Sequence, residues 1–125
     1  MNDRNTSILL VDDDPDLLWG LGRCLSRAGF SVVSCADGEE AISCLESQEV
    51  DVVITDLKMP RVNGLGVVDW VSENRPGVRV IVMTAFGNPS VRDACLSKGA
   101  VLYLEKPLDP EFLIHILSEN LPRET

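Results

Sequence analysis

Five short apolar runs punctuate the chain: Ile8–Val11, Val32–Val33, Val52–Ile54, Val80–Met83 and Val101–Leu104. They are rich in Val and Ile, and most are continuous rather than alternating. A continuous run has no solvated face, which is the pattern of a strand in a parallel sheet covered on both sides. Between the runs the apolar spacing becomes helical. Leu17, Leu18, Leu21, Leu25 and Ala28 follow one face, and Ala41, Ile42 and Leu45 a second. Leu65, Val68 and Val71 make a third, Val91, Ala94 and Cys95 a fourth, and Phe112, Leu113, Ile116 and Leu117 a fifth.

Helix starts and stops are marked by side-chain chemistry. Asp14-Pro15, Asn88-Pro89 and Asp109-Pro110 each place a capping side chain before a proline at the first helical position. Asp37-Gly38-Glu39-Glu40 has an N-cap with a Glu three residues on, a capping-box pattern. Gly29 follows the first helix, Gly99 the fourth and Pro122 the fifth.

Five strand–helix units in alternation predict a doubly wound α/β domain with right-handed crossovers. The second run, Ser31-Val-Val-Ser34, is the most polar and suits an edge, whereas the first, third and fourth suit the centre. The expected sheet order is therefore 2-1-3-4-5, with a ligand site beyond the carboxyl ends of the strands, between the first and the third.

Composition narrows the function. The 125 residues suffice for one domain that buries its own core. A net charge of −9 argues against this module binding nucleic acid or an anionic membrane. The polar start and a first apolar run of four residues give no signal peptide or membrane helix, and the expected compartment is the cytoplasm. The four cysteines, Cys24, Cys35, Cys44 and Cys95, lack C-x-x-C spacing and read as reduced, mostly buried thiols. His115 is the only histidine, so no His-based metal site can be built. Trp19 and Trp70 fall in helices, where packing is the expected role. No Gly-rich phosphate loop is present.

The strand ends hold the chemistry. The first strand runs into Asp12-Asp13-Asp14, the third ends at Thr55-Asp56, the fourth at Thr84-Ala85 and the fifth at Glu105-Lys106-Pro107. In the expected sheet order three carboxylates (Asp12, Asp13 and Asp56), a hydroxyl (Thr84) and an ammonium (Lys106) share one crevice, with Asp14 reserved as a helix cap. Clustered carboxylates repel one another unless neutralised, and a hard divalent cation such as Mg²⁺ does this with one or two carboxylates and several waters. One carboxylate is then available as a nucleophile for a phosphoryl group, with Lys106 and Thr84 placed to stabilise its oxygens.

The combination of Ile8-Leu-Leu-Val-Asp12-Asp13-Asp14, Asp51-Val-Val-Ile-Thr-Asp56-Leu-Lys-Met59-Pro60, Asn63-Gly64, Val80-Ile-Val-Met-Thr84-Ala85, Lys98-Gly99-Ala100 and Tyr103-Leu-Glu-Lys106-Pro107 resembles the receiver domain of bacterial two-component response regulators over nearly the whole chain. Met83-Thr-Ala-Phe-Gly-Asn88 and Leu104-Glu-Lys-Pro107 look most like receivers of nitrogen-regulation and nitrogen-fixation transcriptional regulators. The resemblance implies a flavodoxin-like (CheY-like) fold with five strands and five helices. It implies Asp56 as phosphoacceptor and Mg²⁺ (or Mn²⁺) held by Asp12, Asp13, Asp56 and the backbone carbonyl of Lys58. It implies Thr84 as switch hydroxyl, Lys106 as phosphate-pairing lysine, Ala85 as the small residue that keeps the acceptor accessible, and Tyr103 as the aromatic that rotates between exposed and buried positions. Lys58 and Phe86, two places after the acceptor and the switch threonine, would tune the lifetime of the phosphoryl group. The resemblance also implies a cis Lys106–Pro107 peptide, which would aim Lys106 into the crevice.

The implied partners are a sensor histidine kinase and an output domain or partner protein. The output meets the face of the fourth helix, fifth strand and fifth helix, with homodimerisation on phosphorylation as one form of that output. The domain itself would touch neither nucleic acid nor membrane and would not be an enzyme in the turnover sense. The expected unit is a single receiver over 1–125, either alone or as the N-terminal part of a longer regulator. Two rival readings stand beside this one. A haloacid-dehalogenase-like phosphatase would need Thr where Asp16 stands and a later acidic motif. A flavodoxin-like FMN module would need an uncharged, hydroxyl-rich loop where Asp12-Asp13-Asp14 stands.

Overall fold

The computed structural model describes residues 6–59 and 62–120. The chain alternates β1 (Ser7–Val11), α1 (Pro15–Arg27), β2 (Ser31–Cys35), α2 (Gly38–Ser47), β3 (Val52–Asp56), α3 (Gly64–Asn74), β4 (Arg79–Thr84), α4 (Pro89–Ser97), β5 (Leu102–Glu105) and α5 (Pro110–His115). A wider π-type turn, Ile116–Asn120, continues α5. The strands form one sheet in the order β2-β1-β3-β4-β5, and every neighbouring pair is parallel. This is the expected order, with β2 and β5 at the edges.

Two cores lie on opposite faces of the sheet, which is why the strand sequences read as continuous apolar runs. Ile8, Leu10, Ile54, Ile81 and Met83 point toward Leu21 and Leu25 of α1 and Leu113 of α5. Leu9, Val11, Val53 and Val82 point the other way, toward Ala41 and Leu45 of α2, Val67 and Val71 of α3 and Cys95 of α4. The period of two survives inside each run but sorts side chains between two apolar layers instead of between core and water.

The caps form as expected. Asp14 Oδ1 accepts from the N–H groups of Asp16 and Leu17, Asn88 Oδ1 from Val91 N at 2.9 Å and Asp109 Oδ1 from Glu111 N at 3.0 Å. In the capping box, Asp37 Oδ1 accepts from Glu40 N and Glu40 Oε1 accepts from Ala36 N. Gly29 and Gly99 follow their helices in the left-handed region (φ 104° and 122°). Pro122, the expected stop of the last helix, lies outside the described residues.

Some expectations are corrected. Trp19 is 69% exposed, with the Arg23 guanidinium 5.0 Å above its ring, so it does not pack in the core. Phe112 is 53% exposed, because Leu113, Ile116 and Leu117 already fill the buried stripe of the last helix. Ala28 is exposed as the C-cap of α1. Of the four free cysteines only Cys35 and Cys95 are buried. Burial pushes the Cys35 thiol up to about 12, far from the reactive thiolate range. No helix among the described residues is long and apolar enough to cross a membrane.

Candidate functional site

The order β2-β1-β3-β4-β5 brings the carboxyl ends of β1, β3, β4 and β5 to one rim. Asp12 leaves the end of β1, where its N–H donates to the carbonyl of Cys35 on β2. Its side chain is fully buried, and Oδ1 accepts from Asp14 N at 2.9 Å. Asp56 ends β3 and is 7% exposed, whereas Asp13 faces solvent. Carboxylate oxygens of Asp12, Asp13 and Asp56 lie within 4.8 Å of one another. Lys106 reaches in from the end of β5 and bridges Asp12 Oδ2 at 2.8 Å and Asp56 Oδ2 at 3.2 Å. The Lys106–Pro107 peptide is cis, as expected.

Burial pushes the Asp12 carboxyl above the ordinary aspartate range. The charge of Asp56 adds to that push, against the hydrogen bonds from Lys106 and the Asp14 amide. Burial also works against the Lys106 ammonium, but hydrogen bonds and charge from Asp12 and Asp56 outweigh it and hold its pKa above the usual lysine value. With all four groups ionised, three negative charges face one positive charge, leaving a deficit of two. The donor set is all oxygen and its unmet charge equals that of a divalent ion, so these residues fit a hard cation such as Mg²⁺.

Thr84 closes the rim from β4 and is almost fully buried. Its Oγ1 accepts from Phe86 N at 3.1 Å, which leaves the hydroxyl proton available to another acceptor. Its carbonyl accepts from Lys106 N at 2.9 Å, so the threonine and lysine are tied through the backbone. Ala85 is exposed and, with Leu17, Gly20, Leu21, Pro107 and Leu108, lines an apolar groove of about 610 Å³ that opens beside Lys106.

Lys58 and Phe86 are both exposed, and the Lys58 ammonium sits over the Phe86 ring, 5.3 Å from its centroid. The two expected lifetime residues thus touch each other, with the lysine turned to a ring. Tyr103 does not join the acidic cluster. It lies on β5 and packs against the core shared by α2, α3 and α4.

Two features at the site were not read from the sequence. Asn63 caps α3 by accepting from Gly66 N at 3.0 Å, although Asn63-Gly64 carried the signal. Gly64 packs so closely on the end of β3 that a Cβ there would lie 2.4 Å from the Asp56 carbonyl oxygen, and its N–H donates to Leu57 O at 2.8 Å.

Fold and site together define a parallel α/β module whose acidic pocket, bridged by one lysine, lies at the topological switch point. The chain belongs to the response regulator receiver domain family, whose pattern matches residues 8–118. Among its relatives is the transcriptional regulatory protein GlrR of Escherichia coli K12, 36% identical over 121 residues that cover 97% of this chain and 27% of that protein. The DNA-binding transcriptional regulator NtrC of Salmonella typhimurium is 33% identical over 102 residues, 82% of this chain and 22% of that protein. The chain thus spans about a quarter of the length of these relatives.

A CheY-like receiver domain from Methanospirillum hungatei has a similar structure, with a TM-score of 0.90, 27% identity and 94% of each chain covered. A beryllofluoride-activated NtrC4 receiver domain dimer has a TM-score of 0.86 and 27% identity, covering 92% of this chain and 95% of that one. The family assigns the acidic pocket to a receiver and supports neither the phosphatase nor the flavin reading.

Proposed function

We propose that this receiver accepts a phosphoryl group on Asp56 from the phosphohistidine of a sensor kinase and that Thr84 and Tyr103 pass the event to an output surface. The observation that supports the reading most is the Lys106 ammonium bridging Asp12 and Asp56 within a cluster of three carboxylates. An Asp56 carboxylate oxygen attacks phosphorus in line as the P–N bond to the donor imidazole breaks, and the imidazole departs with that bonding pair. The apolar groove beside Lys106 gives a donor helix a surface from which to reach Asp56.

Asp12, Asp13, Asp56 and the Lys58 carbonyl would hold Mg²⁺ (or Mn²⁺), which when bound neutralises charge on the phosphoryl oxygens. Lys106 pairs with one of those oxygens. Thr84 donates its free hydroxyl proton to another while still accepting from Phe86 N. Lys58 and Phe86 crowd the approach of hydrolytic water. The protein assists its own phosphorylation and dephosphorylation but turns over no separate substrate.

The likeness to transcriptional regulators several times its length supports a receiver that governs an output domain. The face of α4, β5 and α5 would meet that output, with homodimerisation as one form of it and the cytoplasm as its setting. Incubation with acetyl phosphate and Mg²⁺ should add one phosphoryl mass to the wild type and none to Asp56→Asn. Asp13→Ala should lose the Mg²⁺ dependence. Normal labelling of Asp56→Asn would overturn the assignment.

A further inference from the structure

Tyr103 is the only tyrosine in the chain. Its ring seats against the core on one face of the sheet, and its hydroxyl oxygen is buried without a hydrogen-bond partner. The backbone of Asn88 is near but not placed for a full hydrogen bond. What faces the hydroxyl instead is a gap in the turn between β4 and α4. A Cβ at Gly87 would lie 1.5 Å from Tyr103 Oη, 2.7 Å from Cζ and 3.0 Å from Thr84 Cγ2. The first two separations are shorter than any real Cβ contact, so the Tyr103 ring cannot keep this position with a side chain at 87. The turn is also bonded to the active rim, because Thr84 Oγ1 accepts from Phe86 N, the residue before Gly87.

We propose that the missing side chain at Gly87 is the opening that admits the Tyr103 ring to its inward seat, so that residue 87 is a positioning residue for the switch. This rests on the reading of Tyr103 as a switch residue. It adds the steric element that sets the ring's resting position. A move of Thr84 toward a phosphoryl oxygen drags Phe86 and Gly87 with it and reshapes the opening. A side chain at 87 closes the opening whatever Thr84 does.

The single tyrosine makes the test direct. In protein labelled with ¹³C in the tyrosine ring, the wild type should show one set of ring signals with cross-peaks to the Thr84 methyl and the Gly87 α-protons. Gly87→Ala should lose the Thr84 contact and shift the ring signals toward those of a solvated tyrosine. Gly22→Ala, at a site with nothing within 4 Å of the added carbon, should leave them in place. A Gly87→Ala protein that keeps the ring–Thr84 cross-peak overturns the proposal.

If Gly87→Ala fails to fold, the double variant Gly87→Ala/Tyr103→Ala should fold as Tyr103→Ala alone does, since the obstructed ring is gone. A double variant that also fails would place the lesion elsewhere and overturn the proposal. The response to phosphorylation separates this inference from the reading beneath it. An expelled ring with unchanged α4 amide shifts on adding acetyl phosphate and Mg²⁺ would remove Tyr103 from the switch while leaving the steric assignment standing.

Discussion

At the scale of single residues, burial sets Asp12 against the fold it serves. Burial raises its pKa, so folding favours its protonated form. Its stabilising contribution is therefore complete below the unfolded aspartate value, about 3.9, and is lost as pH rises through the higher folded value. At neutral pH the buried charge is a cost. In metal-free protein Asp12→Asn should melt higher than the wild type by several degrees at neutral pH, on the order of 1 kcal/mol. The gap should shrink as pH falls toward the ordinary aspartate range. Thermal melts in chelator at both pH values check this, and a wild type that melts higher at neutral pH would contradict it.

The Lys58–Phe86 pair is a second case in which one side chain decides an outcome. An exposed cation–π contact is worth about 0.5–1 kcal/mol, enough to hold the two groups together part of the time. Phe86→Glu replaces a ring that cannot orient water by a carboxylate that can, and Lys58→Asn replaces a cation that cannot accept a hydrogen bond from water by an amide that can. Loss of phosphate should quicken by roughly tenfold, equivalent to ~1.4 kcal/mol of barrier. Dephosphorylation rates after removal of the donor measure this. Rates equal to the wild type in both variants would mean that neither side chain controls water.

At the scale of elements, the link between β3 and α3 does the positioning. Gly64 lets the start of α3 lie against the Asp56 backbone, and Asn63 caps the helix at that point. Gly64→Ala forces the carbonyl of Asp56 or the helix to move. It should cost about 1–3 kcal/mol and slow phosphorylation, although every carboxylate is retained. Denaturant melts and acetyl-phosphate kinetics test both effects, and a wild-type rate in a destabilised variant would uncouple the helix from the acceptor.

The elements themselves were readable because most strands are apolar on both faces and four helices begin at marked caps. Once the strand order followed, so did the meeting of Asp12, Asp13, Asp56 and Lys106, since their positions are fixed by where strands end. What stayed hidden depends on contacts between distant segments. Trp19 and Phe112 carry the right spacing for burial, but spacing does not say how wide a stripe the sheet covers. The fit of Tyr103 beneath Gly87 and the turn of Lys58 toward Phe86 are matters of rotamer and close approach, which leave no periodic trace.

For the whole molecule, stability is concentrated in the middle of the sheet. β1, β3 and β4 each pair on two sides and are buried on both faces, whereas β2 and β5 pair on one side and are only partly buried. Amide hydrogens of β1, β3 and β4 should therefore exchange slowest, through global unfolding, and those of β2 and β5 faster. Exchange in β5 as slow as in β3 would contradict this.

The position of β5 has a further consequence. Lys106, proposed to pair with the phosphoryl group, directly follows an edge strand, and the candidate switch residue Tyr103 lies on it; that strand is held to the sheet by β4 alone. A signal that leaves the molecule there disturbs one seam and leaves the other three intact. The same protein can then answer quickly to a chemical event at its rim while its interior keeps still, much as a door moves without troubling the wall in which it hangs.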